Sequence, residues 1–287
     1  MDFWFIKPGI RQGIFWALLL NCTSALNDIL MRFLGSKFHF IEIAFFRFFF
    51  STVTVCIPMG LYKPDLFRSN IHKRHIIRGI LGAIALGLCC CSVNLMPLAE
   101  NTAILFSDTF FTLILASIFL NEKPRIQAWT AIIIGLIGVI IMYRPHKENI
   151  NLIAMVPTIA SLIFAVMNLM IKRMVDIKEH TLTMLFYFGL YTSIISGIFV
   201  PFYWVAPSFN EIILLFLLGI GANLIQVFVF LAFRASSVSN ISSLRYTELL
   251  FTILFGFVFF KQIPEMTAII GGILIIFGTF ISSLRKI

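Results

Sequence analysis

Ten apolar runs, each about as long as a bilayer core is thick, dominate this chain of 287 residues. A helix needs roughly 20 apolar residues to cross the hydrocarbon core of a membrane. Every backbone N–H and C=O in lipid must be paired inside the protein, so these runs are predicted to be helices. The predicted fold class is an all-α integral membrane protein of ten transmembrane helices. The runs are 12–33, 39–61, 78–96, 98–120, 126–143, 152–171, 181–203, 211–232, 238–260 and 265–284.

Composition and charge exclude a soluble domain. The apolar share is 60% and the charged share 12%, against roughly 45–50% and 25% in soluble proteins. The net charge of +9 could suggest nucleic acid, but the basic residues lie between the apolar runs. With a cytoplasmic N-terminus, 15 of the 22 Lys and Arg fall inside and 5 outside. We therefore expect a lipid bilayer rather than nucleic acid as the partner, with both termini cytoplasmic.

The two halves of the chain align at an offset of 140 residues without a gap. Pro124 aligns with Pro264 at the same boundary between two spans, and sparse identities flank this match. Each half has five spans, an odd number, so the second half must enter the membrane upside down. We predict two inverted five-helix repeats, residues 1–145 and 146–287. Inverted repeats are typical of transporters, because exchange of the two conformations gives alternating access.

The ends of the fourth span in each half carry a family resemblance. The stretches 119–124 (FLNEKP) and 259–264 (FFKQIP) are followed by helices that contain Gly138, Gly271 and Gly278. In these features the chain resembles the drug/metabolite transporter superfamily in its ten-helix EamA form. The resemblance covers the whole chain and implies transport of a small molecule.

A narrower resemblance rests on 24–28 (SALND), on Glu42 followed by 44–51 (AFFRFFFS), and on 245–249 (RYTEL). These motifs resemble the S-adenosylmethionine uptake transporters of intracellular bacteria. The resemblance implies import of S-adenosylmethionine across a bacterial inner membrane, possible exchange for S-adenosylhomocysteine, and no cofactor. The superfamily usually has a proline in the fourth span, where this chain has Asp108.

Two acidic residues lie near the predicted midplane. Asp108 and Glu248 are each ten residues into their spans and are related by the 140-residue offset. A charge at this depth costs several kcal/mol, so such residues are functional candidates, and substrate sites of inverted-repeat transporters lie at this depth. We predict that both contact substrate. The alternative is that they are ion-pair partners of Arg47 and Arg245, the latter three residues from Glu248.

Six further side chains within the spans are predicted to line the substrate cavity. The arginines could bind a carboxylate or neutralise the acids, and an aromatic ring beside an arginine could stack on a flat ligand ring. Gln226 lies near the middle of its span, and two tyrosines four residues apart share a helix face. The six are Arg47, Tyr187, Tyr191, Gln226, Arg245 and Tyr246.

Gates are predicted at Asn27 and Asp28 on the outer side and near Asn168 on the inner side. Asp28 and Asn168 are mates at the 140-residue offset and lie at opposite depths. The predicted motion rocks helices 1–5 against helices 6–10. A local ion pair of Asp28 with Arg32, four residues on, is the alternative for this acid.

Other functions remain open from the sequence. The same polar side chains would suit an exporter of amino acids or other metabolites. A membrane-embedded enzyme is a further alternative, but all five histidines are predicted at span edges or in loops, and Cys89, Cys90 and Cys91 lack the spacing of metal ligands. No nucleotide-binding motif occurs, which indicates secondary transport. The sequence is compatible with a monomer and with a homodimer.

Overall fold

The computed structural model describes residues 9–95, 104–143, 152–261 and 266–283. Regular structure within these ranges is helical, with short 3-10 turns between α-helices. The α-helices are α1 (Ile10–Leu34), α2 (Phe40–Tyr62), α3 (His72–Leu95), α4 (Asp108–Phe119), α5 (Ile126–Tyr143), α6 (Met155–Asp176), α7 (Thr181–Phe199), α8 (Phe209–Ala235), α9 (Val238–Ser242), α10 (Thr247–Phe260) and α11 (Met266–Ser283).

Length and apolar character make this a multi-pass membrane protein. Within the described ranges, six helical segments are long and apolar enough to cross a bilayer: Arg11–Leu34, Phe40–Leu61, Met155–Asp176, Thr181–Phe202, Phe209–Ala235 and Val238–Phe259. Large apolar side chains point away from the protein on the outer helices, among them Leu61, 72% exposed, and Ile273, 61% exposed. Lipid contact stabilises such side chains, whereas exposure to water would not.

The helices of the two halves of the chain interleave. The most extensive contacts pair α1 with α8, α2 with α7 and α8, α3 with α6 and α7, α4 with α6, α5 with α11, and α10 with α1. Each of these pairs joins a helix before residue 145 to a helix after it. The buried apolar clusters are therefore shared, and neither half has a core of its own.

The ninth predicted span, 238–260, is not one continuous helix. It is interrupted over 243–246 between α9 and α10, where the backbone bonds reach back three residues, as from Glu248 N to Arg245 O at 3.0 Å. The amide of Asn21 on α1 donates to Leu244 O at 2.8 Å and to Thr247 Oγ1 at 2.6 Å. Leu244 O also accepts from Thr247 N at 3.1 Å. Because bonds within the break and the Asn21 amide of a neighbouring helix together pair this carbonyl, the break is tolerated within the membrane.

The fourth predicted span has a break at the equivalent place. Its described part has a turn at Phe106 and Ser107 before α4 begins at Asp108. Here Ser161 on α6 lies against the break, with its Oγ 3.1 Å from Ser107 Oγ. The two breaks place Asp108 and Glu248 in the first turns of α4 and α10. Span 78–96 also differs from prediction, because α3 begins at His72.

Candidate functional site

Arg245 lies in the break before α10 and pairs with the acid that begins α4. Its Nε is 3.3 Å from Asp108 Oδ2, and Thr109 Oγ1 donates to Asp108 Oδ1 at 3.1 Å. The Asp108 side chain is 2% exposed, whereas that of Arg245 is 45% exposed. Because Arg245 is not on a regular helical turn, its direct partner is this acid on another helix rather than the residue three positions on. One face of the guanidinium thus stays accessible deep in a span.

Three more charged side chains join this pair. Glu248 accepts a hydrogen bond from Ser24 on α1, with its Oε1 at 2.7 Å from the hydroxyl. Asp28, four residues further along α1, is exposed and interacts electrostatically with Glu248, Arg47 and Arg245. We call Asp28, Arg47, Asp108, Arg245 and Glu248 the central charged cluster.

The central charged cluster has three carboxylates and two guanidinium groups, an excess of one negative charge when all are ionised. Charged side chains attract each other more strongly in a low-dielectric interior than in water. The exposed groups, Asp28 and Arg245, offer one carboxylate and one guanidinium to a ligand. The arrangement is suited to a small molecule that carries both a cationic and an anionic group.

Two residues that the sequence did not single out lie at this cluster. The ring centroid of Phe106 is 5.8 Å from the guanidinium carbon of Arg245, and the thiol of Cys89 on α3 lies within electrostatic range of Asp28 and Arg245. Phe106 is the mate of Tyr246 at the 140-residue offset, which is the signal that could have found it. Cys89 stood among apolar residues and gave no such signal. The described cysteines, including Cys89, are free thiols.

Tyr246 takes a packing position rather than an open one. It is 1% exposed, stacks on Phe106 with centroids 5.8 Å apart, and packs against Gly135 of α5. A Cβ added at Gly135 would overlap the Tyr246 ring, so this glycine is required for the close approach. The aromatic face nearest to Arg245 therefore belongs to Phe106.

Arg47 lies on α2, with its Nη1 3.5 Å from Met31 Sδ and its guanidinium 5.8 Å from the Phe48 ring centroid. The structure thus brings four predicted substrate residues into one electrostatic group, namely Asp108, Glu248, Arg245 and Arg47, together with Asp28, which was predicted as a gate.

Gln226 lies away from the central charged cluster and is hydrogen-bonded to an arginine of α3. Its Oε1 accepts from Arg78 Nη2 at 2.8 Å, and Arg78 Nη1 donates to Met184 O at 3.2 Å. Arg78 is 0% exposed, within α3, and lies over the rings of Phe188 and Phe230. Arg78 stood at the edge of the predicted span 78–96, but it lies well within α3, because that helix starts six residues earlier.

Tyr187 and Tyr191 lie in the interface between α7 and α3. Tyr187 OH donates to Phe67 O at 2.6 Å, and its ring stacks on His75 and on Tyr191. Tyr191 packs against Gly79 of α3. Within the described part of the chain, the contacts of the two tyrosines do not reach the central charged cluster, and they stay candidates only for another conformation.

The predicted gate residues have different surroundings. Asn27 is 2% exposed and its amide packs against Gly221 of α8. Asn168 on α6 donates to Thr112 Oγ1 on α4 at 3.3 Å. Each is therefore placed between a helix of one half and a helix of the other. No group of three or more His, Cys, Asp and Glu within the described residues is positioned to hold a metal ion.

Comparison with known proteins gives consistent results. The sequence profile of the EamA-like transporter family matches residues 11–144 and again 152–284. The S-adenosylmethionine uptake transporter of Rickettsia felis is 34% identical over 268 residues, 93% of this chain and 90% of that protein. That of Rickettsia conorii is 33% identical over 264 residues, 92% of this chain and 90% of that protein.

Two further matches are more distant. The pseudopaline exporter of Pseudomonas aeruginosa is 25% identical over 282 residues, 96% of this chain and 98% of that protein. A solved crystal structure shares 17% identity, with a TM-score of 0.78 over 96% of both chains, which is a likeness of fold alone. Together the matches confirm the resemblances carried by the sequence motifs.

Proposed function

The chain belongs to the EamA-like transporter family, and from that premise we propose that it imports S-adenosylmethionine by alternating access. Relatives named for uptake of this metabolite, at 33% and 34% identity, support the substrate class. Membership of a transporter family also decides against a membrane-embedded enzyme. Import in exchange for S-adenosylhomocysteine is part of the proposal.

The excess negative charge of the central charged cluster is the observation that carries this proposal. S-adenosylmethionine has a sulfonium, an ammonium and a carboxylate, hence one excess positive charge. The cluster has one excess negative charge when all five of its groups are ionised, and Asp28 and Arg245 are exposed. Opposite net charges compensate each other's desolvation when the ligand leaves water. We assign Asp28 to the cationic groups of the ligand and Arg245 to its carboxylate. Glu248, which is 8% exposed, adds its negative charge without direct contact in this conformation.

The adenine is assigned to the aromatic wall beside Arg245. Phe106 is 8% exposed and stacks on Tyr246, and its ring centroid is 5.8 Å from that guanidinium. A flat heterocycle would stack on the part of the ring that Tyr246 leaves open. Asp108 is too buried to meet a ligand directly in this conformation and instead holds Arg245 through the 3.3 Å ion pair. Its predicted contact with substrate is thereby changed into a positioning function.

Uptake into proteoliposomes tests the proposal. Labelled S-adenosylmethionine should accumulate when S-adenosylhomocysteine is inside, and substrate should slow thiol modification at Cys89 in a protein whose other cysteines are serine. Cys56 alone in the same background is the control, because it lies on α2 outside the cluster. Uptake of other metabolites with no effect of S-adenosylmethionine on Cys89 labelling would refute the assignment.

Ten helices in two inverted repeats, residues 1–145 and 146–287, form part of the proposal. Asn121 follows α4 and Lys261 follows α10, and the two residues are mates at the offset of 140. Both have a left-handed backbone conformation, with φ of 53° each. The contact of Asn21 with Thr247 has its mate in Ser161 with Ser107. The helix contacts also recur between equivalent helices of the two repeats. The contact of α1 with α8 corresponds to that of α6 with α3, and the contact of α1 with α10 corresponds to that of α6 with α4.

The interleaved packing changes the proposed motion. Because the extensive contacts join the two halves, helices 1–5 cannot rock as one body against helices 6–10 without breaking most of the buried interfaces. We propose instead that α1, α2, α8 and α10 move as one group against α3, α4, α6 and α7. Each group contains two helices from each repeat. The proposed symmetry between the repeats relates every helix of one group to a helix of the other.

We propose that the outer gate lies at Asn27 and Asp28 on α1 and the inner gate near Asn168 on α6. Cysteine at Asn27 should react from outside and cysteine at Asn168 from inside, with substrate shifting the two reactivities in opposite directions. Unchanged reactivity at both positions under saturating substrate would contradict the gate assignment.

We place the protein in a bacterial inner membrane with cytoplasmic termini, from the excess of basic residues on that side. A cysteine in the loop 68–74 should resist impermeant thiol reagents added to intact cells and react once the membrane is opened.

Export of a related metabolite is the second candidate function, since a pseudopaline exporter matches over nearly the whole chain. Counterflow distinguishes the two. An importer that exchanges should accumulate labelled S-adenosylmethionine against unlabelled internal S-adenosylhomocysteine, whereas an exporter specific for another metabolite should not respond to either compound.

A further inference from the structure

A small cavity opens at the end of the molecule where α6 and α8 end and α7 begins. Its volume is about 210 Å³. Helices α6, α7 and α8 are all long enough to cross a bilayer, so their ends lie at the depth of the lipid headgroups.

The rim of this cavity is basic. Lys178, His180 and Arg234 line it, and all three side chains are exposed. Lys178 and Arg234 make no ion pair within the part of the chain that the structure describes. His180 Nδ1 accepts from Leu182 N at 3.2 Å, which leaves Nε2 as the ring nitrogen available to a ligand.

The acids near the rim are engaged by other groups. Glu179 also lines the cavity, but its Oε1 accepts from Ser69 at 2.6 Å and is 3.1 Å from Nε2 of the buried His75. Asp176 pairs with Lys172 at 2.9 Å. Glu179 brings one negative charge to the lining against the positive charges of Lys178 and Arg234, so the rim keeps an excess of positive charge.

The inner wall of the cavity is apolar. Val175, Phe230 and Leu231 form it, and Phe230 is 2% exposed. A basic rim over an apolar wall suits an amphiphile with an anionic head. A second cavity of about 260 Å³, between α2, α3 and α7, is lined mainly by apolar residues such as Phe40, Leu86 and Ile195 and has no basic residue in its lining.

The backbone presents one of the rim residues in an unusual way. Lys178 closes α6 with φ of 60°, and its N–H donates to Val175 O at 3.0 Å. Glycine is the common residue at such a helix end, because a Cβ there crowds the following carbonyl. A lysine at this position places an ammonium group on the α6–α7 loop, at the rim of the cavity.

We propose that this basic pocket, formed by Lys178, His180, Arg234, Val175, Phe230 and Leu231, binds the phosphate of an anionic phospholipid. The rim residues donate charge-assisted hydrogen bonds to the phosphate, and the acyl chains follow the apolar wall into the bilayer. A free phosphate ion would use the rim but gain nothing from the wall.

Lipid titration of the purified, delipidated full-length protein tests the proposal. Short-chain phosphatidylglycerol should raise the unfolding temperature and remain bound in native mass spectrometry, because a ligand of the folded state stabilises it. Phosphatidylcholine of the same chain length and inorganic phosphate should do neither. The variant Lys178→Gln/Arg234→Gln should lose at least tenfold in apparent affinity for phosphatidylglycerol.

The matched control is Lys123→Gln/Arg125→Gln, two exposed basic residues of the α4–α5 loop outside the pocket. It should bind phosphatidylglycerol as the unaltered protein does. Equal affinity in the pocket variant, or equal stabilisation by phosphatidylcholine, would overturn the proposal. Stabilisation by inorganic phosphate that competes with the lipid would overturn it in favour of a free-phosphate site.

Discussion

Two arginines inside the helical core of this protein have opposite surroundings. Arg245 has a carboxylate partner at 3.3 Å and interacts with two further acids, yet its side chain is 45% exposed. Arg78 is fully buried, bonds to the neutral Gln226 and a carbonyl, and lies 4.4 Å from the Phe188 ring centroid.

The difference separates a ligand site from a structural contact. A charged group that is both counterbalanced and accessible can exchange a protein partner for a ligand at modest cost. A buried one with neutral partners and aromatic faces is held by packing and cation–π attraction. We therefore propose Arg245 as a substrate-binding residue, whereas Arg78 fastens α3 to α7 and α8.

Removal of the cluster acids should have the largest effect. Asp108→Asn and Glu248→Gln should each reduce uptake of S-adenosylmethionine roughly 10- to 100-fold, since a hydrogen bond to a charged group contributes about 1.5–3 kcal/mol. Expression should persist, because each change removes a charge and keeps the shape. Calorimetric binding in detergent is the measurement. Unaltered affinity in both variants would leave these acids as structural partners only.

Substitution of the two arginines should next separate selectivity from stability. Arg245→Gln should weaken S-adenosylmethionine about tenfold more than its decarboxylated analogue, because the guanidinium is assigned to the carboxylate, a contribution of about 1.4 kcal/mol. Arg78→Gln is the matched control and should weaken the two ligands equally. Equal losses for both ligands with Arg245→Gln would remove the carboxylate assignment.

A double-mutant cycle should measure the hydrogen bond between Arg78 and Gln226. Arg78→Met deprives Gln226 Oε1 of its donor, and the unpaired amide should cost about 1–3 kcal/mol of unfolding free energy. Arg78→Met/Gln226→Leu should regain most of this, because an apolar pair of similar volume is often neutral relative to buried polar partners. Thermal unfolding in detergent provides the comparison, and a double variant no more stable than the single would refute the pairwise account.

The smallest effect is expected for an exposed pair. Lys37 Nζ is 2.7 Å from Glu211 Oε2, with side chains 43% and 23% exposed. Lys37→Gln should change stability by less than about 1 kcal/mol, and salt should abolish the difference. Lys63→Gln, at another exposed loop position, is the control. A loss of stability as large as that caused by Arg78→Met would mean that the exposure of a polar contact does not predict its contribution to stability.

Much of the architecture was contained in the sequence. Runs of about 20 apolar residues predict membrane helices, because lipid offers no hydrogen bonds to the backbone. The family motifs and the offset that relates Asp108 to Glu248 also follow from residue identities alone. Five charged positions singled out from their location in apolar runs, Asp28, Arg47, Asp108, Arg245 and Glu248, meet in one cluster.

Tertiary structure alone decided which of these residues touch and which face outward. Apolar helices satisfy the same pattern whatever their neighbours, so the interleaving of the halves could not be read from the runs. The break at 243–246 is supported by Asn21, more than 200 residues away, whose amide adds a hydrogen bond from α1 to Leu244 O. The partner of Arg245, the burial of Arg78 and the packing of Tyr246 follow from such long-range contacts, because a local pattern records polarity but not which distant group satisfies it.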